Sequence, residues 1–177
     1  MSTAAADTSF CNNAMIRKAT RRLGQLYDDA LAPSGLRGTQ FVILTEIEAL
    51  KGPTLRDLAR AMVMDLSALG HTLKPLIRDG YVELTPDPSD RRAKRARLTA
   101  AGAAKFGETM KLWQTAQDSF EAAFGAAKAA ELRSVLGFVA SETFSSAYLH
   151  EIELSKDKCL GTNRTGAPGA PESPARS

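Results

Sequence analysis

The stretch from Thr54 to Thr99 constrains the fold more than any other part of this chain. In order, it predicts a short helix, a turn, a second helix, a strand, a turn rich in Asp and Pro, and a returning strand. Thr54, with Asp57 three residues later, and Asp65 indicate the two helix starts, because their side chains can cap free backbone N–H groups. Gly80 predicts the end of the second helix. This order is that of a helix-turn-helix followed by a β-hairpin.

The second of these helices, residues 65–79, is predicted to have one apolar and one polar face. Five apolar residues recur at three- and four-residue steps from Leu66 to Ile77, which predicts that this face packs inward. The opposite face is small or hydrogen-bonding, as a helix in a DNA major groove requires, but its leading half has no Arg, Asn or Gln for bidentate base contacts. The residues predicted to contact DNA from this helix are Ser67, Ala68, His71, Thr72 and Lys74.

The hairpin is predicted to carry concentrated positive charge. Residues 85–99 hold five basic and two acidic residues, a local net charge of +3. A hairpin tip with exposed arginines suits the narrow minor groove of DNA, where the negative potential is strongest. Asp90 is free to brace either Arg92 or Arg95 and so to orient the loop. The hairpin residues predicted to contact DNA are Arg91, Arg92 and Lys94.

Long helices are predicted on both sides of this stretch. They cover residues 10–31, 40–50, 99–124 and 127–154. Between Ala103 and Phe124 large residues recur at steps of three and four, a heptad seam that includes Trp113. An apolar seam of this size predicts burial against a second copy of the chain. Residues 1–9 and the Gly-, Pro- and Ser-rich residues 155–177 are predicted to be disordered.

The sequence DPSDRRAKRARLTAAG, residues 87–102, resembles the wing signature of the MarR family of winged-helix transcriptional regulators. GLRGTQFVILTEI upstream and GPTLRDLARAMVMDLSALGHTLKPLIRDGYVEL leading into the wing match the family's context, and the resemblance covers about residues 10–150. It implies an obligate homodimer that binds a pseudo-palindromic operator and is released by a small ligand or by oxidation. It also implies a very short strand, near Lys51-Gly52-Pro53, that pairs with the wing.

The expected fold class is therefore mainly α (α+β), a winged helix-turn-helix. We expect one folded domain over residues 10–154. Within it, residues 39–98 form the DNA-binding lobe, and residues 10–31 and 99–154 form the dimerisation helices. The expected partners are double-stranded DNA, a second copy of the chain and a small-molecule effector, and the expected activity is that of a repressor.

The effector is open at this stage. One branch of the family senses organic hydroperoxides through a cysteine in the first helix, and Cys11 lies about two residues from that position. A more common branch binds small aromatic ligands, such as phenols or carboxylates, between the dimer helices and the DNA-binding lobe. Candidate residues for such a site are Arg17, Arg21 and Phe41.

Other function classes find little support in the sequence. There is no catalytic constellation, so we expect no enzyme. The two cysteines have no CxxC spacing and there are two histidines, so we expect no metal and no cofactor. The absence of a long apolar run or a signal peptide predicts a cytoplasmic protein without membrane contact. The rival class is a helical dimerisation adaptor whose wing contacts protein. The salt dependence of DNA binding would separate it from a regulator.

Overall fold

The structure, a computed structural model, describes residues 10–161. The predicted disorder of residues 1–9 and 162–177 lies outside the described residues. The chain divides into two compact units, with the boundary between Gly125 and Ala126.

The first unit is mainly helical with a two-stranded wing, as the sequence predicted. The first helix is followed by a 3-10 turn at Ala32–Ser34. The elements are α1 (Asn12–Leu31), α2 (Gly38–Ala49), α3 (Leu55–Ala61), α4 (Leu66–Arg78), β1 (Val82–Pro86), β2 (Lys94–Leu98) and α5 (Ala100–Phe124).

Three of the helices begin at the caps that the sequence predicted. The Thr54 hydroxyl accepts a hydrogen bond from the Asp57 N–H at 3.1 Å, and the Asp65 carboxylate accepts one from the Ala68 N–H at 2.7 Å. The Thr99 hydroxyl caps α5 in the same way. Each bond satisfies a backbone donor that has no partner within its helix.

The start of α2 differs from the prediction. The helix begins at Gly38, two residues before the predicted start at Gln40, and the Gly38 N–H donates to the Asp28 carboxylate of α1 at 2.7 Å. Gln40 accepts a second bond from the Arg37 N–H at 2.9 Å. The cap comes from a different helix, and so local sequence could not reveal it.

The core of this unit joins α2, α3 and α4 to the base of the wing. Leu58, Leu73 and Leu76 are almost completely buried, and so are Val82 of β1 and Ala96 of β2. Burying one Leu, Ile or Val side chain stabilises a fold by about 1.5–3 kcal/mol. The helix-turn-helix and the inner half of the wing therefore form one packed structure.

The two strands are antiparallel, with Val82 opposite Leu98 and Pro86 opposite Lys94. Pro86 belongs to the Asp- and Pro-rich segment that was expected to form the turn, but it is the last residue of β1. As an edge residue it gives up no hydrogen bond that the sheet needs. The expected extra strand is present as a single bridge between Thr54 and Arg95.

The heptad seam of α5 is partly covered within the same chain, contrary to the prediction that a second subunit buries it. Phe41 of α2 stacks on Phe106, with ring centroids 5.7 Å apart, and lies 6.3 Å from the ring of Trp113. Helices α1 and α2 both pack against α5 and supply this cover.

The second unit consists of α6 (Ala126–Val139) and α7 (Glu142–Gly161). A single helix was predicted here, but Ser141 interrupts it. Its hydroxyl donates to the Phe138 carbonyl at 2.7 Å and accepts from the Phe144 N–H at 3.2 Å. The predicted end at Leu154 was also too early, since helical backbone continues to Gly161.

Candidate nucleic-acid interface

Three of the five side chains predicted to contact DNA from α4 are exposed. These are Ser67, His71 and Lys74. Ala68 and Thr72 are only half-exposed, and the Thr72 hydroxyl donates to the Ala68 carbonyl at 3.1 Å. That hydroxyl is engaged by its own helix, which leaves Thr72 a weaker candidate for base contact than its neighbours.

Leu66 and Ile77 do not pack inward as predicted: their exposed fractions are 54% and 37%. The buried stripe of α4 is formed by Leu69, Leu73 and Leu76, each at most 2% exposed. At 3.6 residues per turn, Leu66 and Ile77 fall on the edge of that stripe, which explains why the core does not cover them. The exposed face of α4 therefore contains an aliphatic side chain in its first turn.

The wing tip presents cations to solvent. Arg91, Arg92 and Lys94 are all exposed. Within the part of the chain that the structure describes, none of the three forms an ion pair. Their charge is available to an external anion such as a DNA phosphate.

A buried carboxylate, Asp87, orders the turn below this tip. It is 4% exposed, and one oxygen accepts from the Ser89 N–H at 2.7 Å, the Ser89 hydroxyl at 2.5 Å and the Asp90 N–H at 3.0 Å. The other oxygen accepts from Arg95 Nε at 2.6 Å. The Ser89 hydroxyl and N–H lower the pKa of Asp87 most, with smaller effects from Asp90 and Arg95, while burial opposes the shift.

Asp90 was expected to brace Arg92 or Arg95, but the carboxylate that pairs with Arg95 is that of Asp87. Asp90 instead accepts a hydrogen bond from the Arg92 backbone N–H at 2.9 Å, which shapes the tip without an ion pair. A local signal for Asp87 existed, because an Asp often bonds the backbone N–H two residues later, here that of Ser89. The bond to Arg95 crosses the hairpin and needed the strand register.

Arg95 also ties the wing to the helical core. Its Nη1 donates to the Gly52 carbonyl, 43 residues earlier, at 2.8 Å, and the Ala96 N–H donates to the Pro53 carbonyl at 2.9 Å. Gly52 has a φ of +85°, and a Cβ there would lie 3.3 Å from the Arg97 side chain. The α2–α3 loop is thus shaped to receive the wing.

The structure does not bring the three candidate ligand residues together. Arg17 and Arg21 are exposed on α1, whereas Phe41 is 2% exposed in the aromatic cluster with Phe106 and Trp113. Arg21 lines a shallow cavity of about 570 Å³ with other α1 residues. A more apolar cavity of about 430 Å³ lies between α1 and α5. It is lined by Leu23, Leu26, Tyr27, Ala30, Leu112, Thr115, Ala116, Ser119, Phe120 and Ala123.

Cys11, the candidate redox residue, is exposed and immediately precedes α1. Among residues 10–156, no group of three or more His, Cys, Asp or Glu side chains is placed to hold a metal. In the same part of the chain, no helix combines the length and apolar character needed to span a membrane.

Comparison with known proteins identifies the family. The MarR family profile matches residues 36–94, the segment from just before α2 to the first residue of β2. The crystal structure of the transcriptional regulator MosR from M. tuberculosis in complex with DNA is 35% identical. That match covers 73% of this chain and 96% of MosR, with a TM-score of 0.65. The chain belongs to the MarR family.

Other MarR-family members are also similar. The multiple antibiotic resistance protein MarR of Escherichia coli is 31% identical over 90 residues, 51% of this chain. The alignment spans 62% of the length of that relative. A mutant of E. coli MarR, crystallised with operator DNA, superposes with a TM-score of 0.65 at 27% identity, covering 72% of this chain and 91% of that one. MarR proteins are winged helix-turn-helix transcriptional regulators and not enzymes.

Proposed function

We propose that this protein is a dimeric repressor that binds duplex DNA through α4 in the major groove and the wing tip at the minor groove. The observation that carries the proposal is the wing. In the part of the chain that the structure describes, Arg91, Arg92 and Lys94 are exposed and form no ion pair, and they lie in or next to a turn that buried Asp87 holds in place. A rigid turn presents these cations without a large loss of conformational entropy on binding.

Two relatives support this assignment. MosR and the mutant E. coli MarR were each crystallised with DNA, and both match this chain over more than 90% of their own length. The helix-turn-helix, β1 and the wing tip lie within the matched family segment, which ends at the first residue of β2. We infer that the corresponding elements of this chain bind DNA in the same general way.

The salt dependence of DNA binding tests the proposal. Each phosphate contact contributes about 0.9 to the slope of log affinity against log salt concentration. Replacing Arg91 and Arg92 with Ala together removes four cations from the dimer, so it should weaken binding and reduce the slope by roughly three to four. The matched control is Lys111→Ala with Lys128→Ala, which removes two exposed cations far along the sequence from the wing. A wild-type protein that binds DNA weakly and without a salt slope would favour the adaptor alternative.

A second copy of the chain is the proposed dimer partner. Apolar side chains of the second unit are exposed in the protomer, including Val135 at 52%, Phe138 at 55% and Leu149 at 58%. On α1, Leu26 is 54% exposed. Burial of these faces in a two-fold dimer would allow the two copies of α4 to bind adjacent half-sites. Such half-sites are about 34 Å apart on B-DNA. The operator is then an inverted repeat.

A small aromatic molecule is the proposed effector, and the α1–α5 cavity is the proposed place for it. A volume of about 430 Å³ falls within the range of ligand sites, and the lining is mostly aliphatic and aromatic. The Tyr27 hydroxyl, which donates to Gln117 Oε1 at 3.0 Å, supplies a polar group at the cavity wall. The α1 residues Arg17 and Arg21 lie outside this lining, so a carboxylate of the effector need not contact them.

Thermal denaturation with a panel of aromatic acids and phenols tests the effector site. A ligand that raises the melting temperature of the wild type should fail to do so for Ala116→Phe, whose side chain fills the cavity. Oxidation of Cys11 is the alternative trigger, because the thiol is exposed at the start of a helix. If peroxide releases the wild type but not Cys11→Ser from DNA, and no aromatic compound does, the thiol is the sensor.

A further inference from the structure

We propose that Leu66 and Gly70 determine part of the operator sequence, with Leu66 contacting thymine methyl groups and Gly70 letting the helix backbone approach the base edges closely. This inference rests on the proposed DNA-binding function and names two specificity residues of that interface. The residues are four apart in α4 and therefore lie on the same side of the helix, one turn from each other.

Leu66 is an exposed aliphatic side chain on the proposed DNA-binding face of α4. It is 54% exposed, whereas Leu69, Leu73 and Leu76 of the same helix are at most 2% exposed. Leu66 directly follows the capping residue Asp65, so it occupies the first position of α4. The N-terminal residues of a recognition helix are the ones that contact base edges.

Within the described residues, neither the backbone conformation nor a close contact requires glycine at position 70. It lies in the middle of a helix, where glycine is disfavoured, and it is not among the glycines with positive φ. A Cβ added at Gly70 would meet no atom within 4 Å, in contrast to Gly102, where an added Cβ collides with the Tyr81 carbonyl. The missing side chain leaves room on the outer face of the helix, between Leu66 and Lys74.

The chemistry of the exposed face favours thymine. The leading half of α4 has no Arg, Asn or Gln, and so it lacks the side chains that make bidentate hydrogen bonds to guanine or adenine. The C5 methyl group of thymine is the feature of the major-groove edge that an aliphatic side chain can recognise. Contact with it requires a short distance between helix and base, which a glycine at the next turn allows.

Deoxyuridine substitution tests the contact directly, because it removes the methyl group and keeps the base pair. The target is the duplex that binds the full-length wild type most tightly after selection from a random pool. Deoxyuridine at one thymine position of each half-site should weaken wild-type binding about fourfold per contact, the equivalent of one methylene-sized group. The Leu66→Ala variant should bind the thymine duplex more weakly than the wild type does. It should bind the thymine and deoxyuridine duplexes with equal affinity.

Gly70→Ala tests the close approach. It should raise the melting temperature, because alanine is the better helix former, and weaken binding to the selected duplex more than tenfold. Gly107→Ala in α5 is the matched control, since a Cβ there also meets open space. It should raise the melting temperature without changing DNA affinity. Leu66→Ala that keeps its sensitivity to deoxyuridine, or Gly70→Ala that binds like the wild type, would overturn the inference.

The proposed DNA-binding function and the thymine contact can be refuted separately. If selection enriches no duplex and binding does not depend on salt, the proposed DNA-binding function falls together with this inference. If the wild type binds a selected duplex with a steep salt slope but tolerates deoxyuridine at every thymine, the function stands and the thymine contact is refuted.

Discussion

Asp87 keeps its negative charge within the turn of the wing although the side chain is 4% exposed. It does so because it accepts four hydrogen bonds from three residues, Ser89, Asp90 and Arg95. Buried charges are tolerated when every lone pair finds a donor. Removal of the charge leaves Arg95 without its carboxylate, and it leaves the turn without the group that orders it.

Asp87→Asn should destabilise the protein at neutral pH, and the difference from the wild type should narrow as the pH falls below about 5. Hydrogen bonding holds the pKa of Asp87 well below its ordinary value of about 3.9. The unfolded state therefore takes up the proton first, so the stabilisation is complete above about pH 5 and is lost as the pH falls toward the folded-state pKa. Urea denaturation from pH 3 to 7 measures this. Asp90→Asn should show a smaller change, and equal effects of the two variants would contradict the assignment.

Gly102 lies where the first turn of α5 meets the backbone at the start of the wing. A Cβ at this position would overlap the Tyr81 carbonyl. Gly102→Ala should therefore destabilise the fold by about 1–3 kcal/mol, the usual cost of overpacking. Gly107→Ala, in the same helix but facing open space, should be neutral or stabilise it by up to about 1 kcal/mol. Chemical denaturation of the pair gives the comparison, and a stable Gly102→Ala would mean that α5 can move away from the wing.

At the scale of elements, the turn between α3 and α4 contains an unusual backbone conformation. Val63 has a φ of +50° and is 70% exposed. A β-branched residue in the left-handed region is strained, at a cost of roughly 1–2 kcal/mol. At 70% exposure, the side chain buries little apolar area that could offset this strain.

Val63→Gly should therefore stabilise the protein, although the entropy of glycine in the unfolded chain offsets part of the gain. We expect a net increase of up to about 1 kcal/mol in the free energy of unfolding. Ala104→Gly, at an exposed helical position of α5, should instead lower it by about 0.5–1 kcal/mol. Denaturant titrations of both variants measure these changes in the free energy of unfolding. A destabilised Val63→Gly would show that the Val63 side chain stabilises the turn by more than the backbone strain costs.

The elements that local sequence could predict are those whose determinants lie close together in the chain. Thr54, Asp65 and Thr99 cap helices through bonds that span three residues. The contacts that escaped prediction join distant positions, such as Phe41 with Trp113 and Asp28 with Gly38. Ser141 is an exception, since its capping role is local and an uninterrupted apolar pattern concealed it.

The same difference between local and distant determinants explains which parts of the candidate DNA interface could be predicted. The positive charge of the wing tip could be predicted from the sequence, because the position of exposed arginines does not depend on a contact with a distant residue. The identity of the brace was missed because Asp87 and Asp90 are chemically alike and three residues apart, and only the strand register brings Asp87 to Arg95. Leu66 was assigned to the core because periodicity cannot locate the edge of a buried stripe.

At the scale of the whole molecule, the exposed apolar residues of α6 and α7 predict self-association. Val135→Glu with Leu149→Glu places charges at two sites that are 52% and 58% exposed in the protomer. Such changes barely affect a monomeric fold but are costly within a buried interface. We expect the variant to sediment as a folded monomer and to lose tight operator binding. Lys128→Glu, an exposed charge reversal on α6, should remain dimeric; a dimeric double variant would locate the interface elsewhere.

Because β2 is attached to the α2–α3 loop, backbone amides at the base of the wing should be better protected from hydrogen exchange than those at its tip. An isolated two-stranded hairpin is marginally stable in water, so the inner half of this one depends on Gly52 and Pro53 for its order. The Ala96 amide should exchange its hydrogen for deuterium only when the helical core opens. The amide of Arg91, at the exposed tip, should exchange orders of magnitude faster. The base of the wing is thus fixed to the helix-turn-helix, while the exposed arginine side chains on the ordered tip adjust to the contour of a groove.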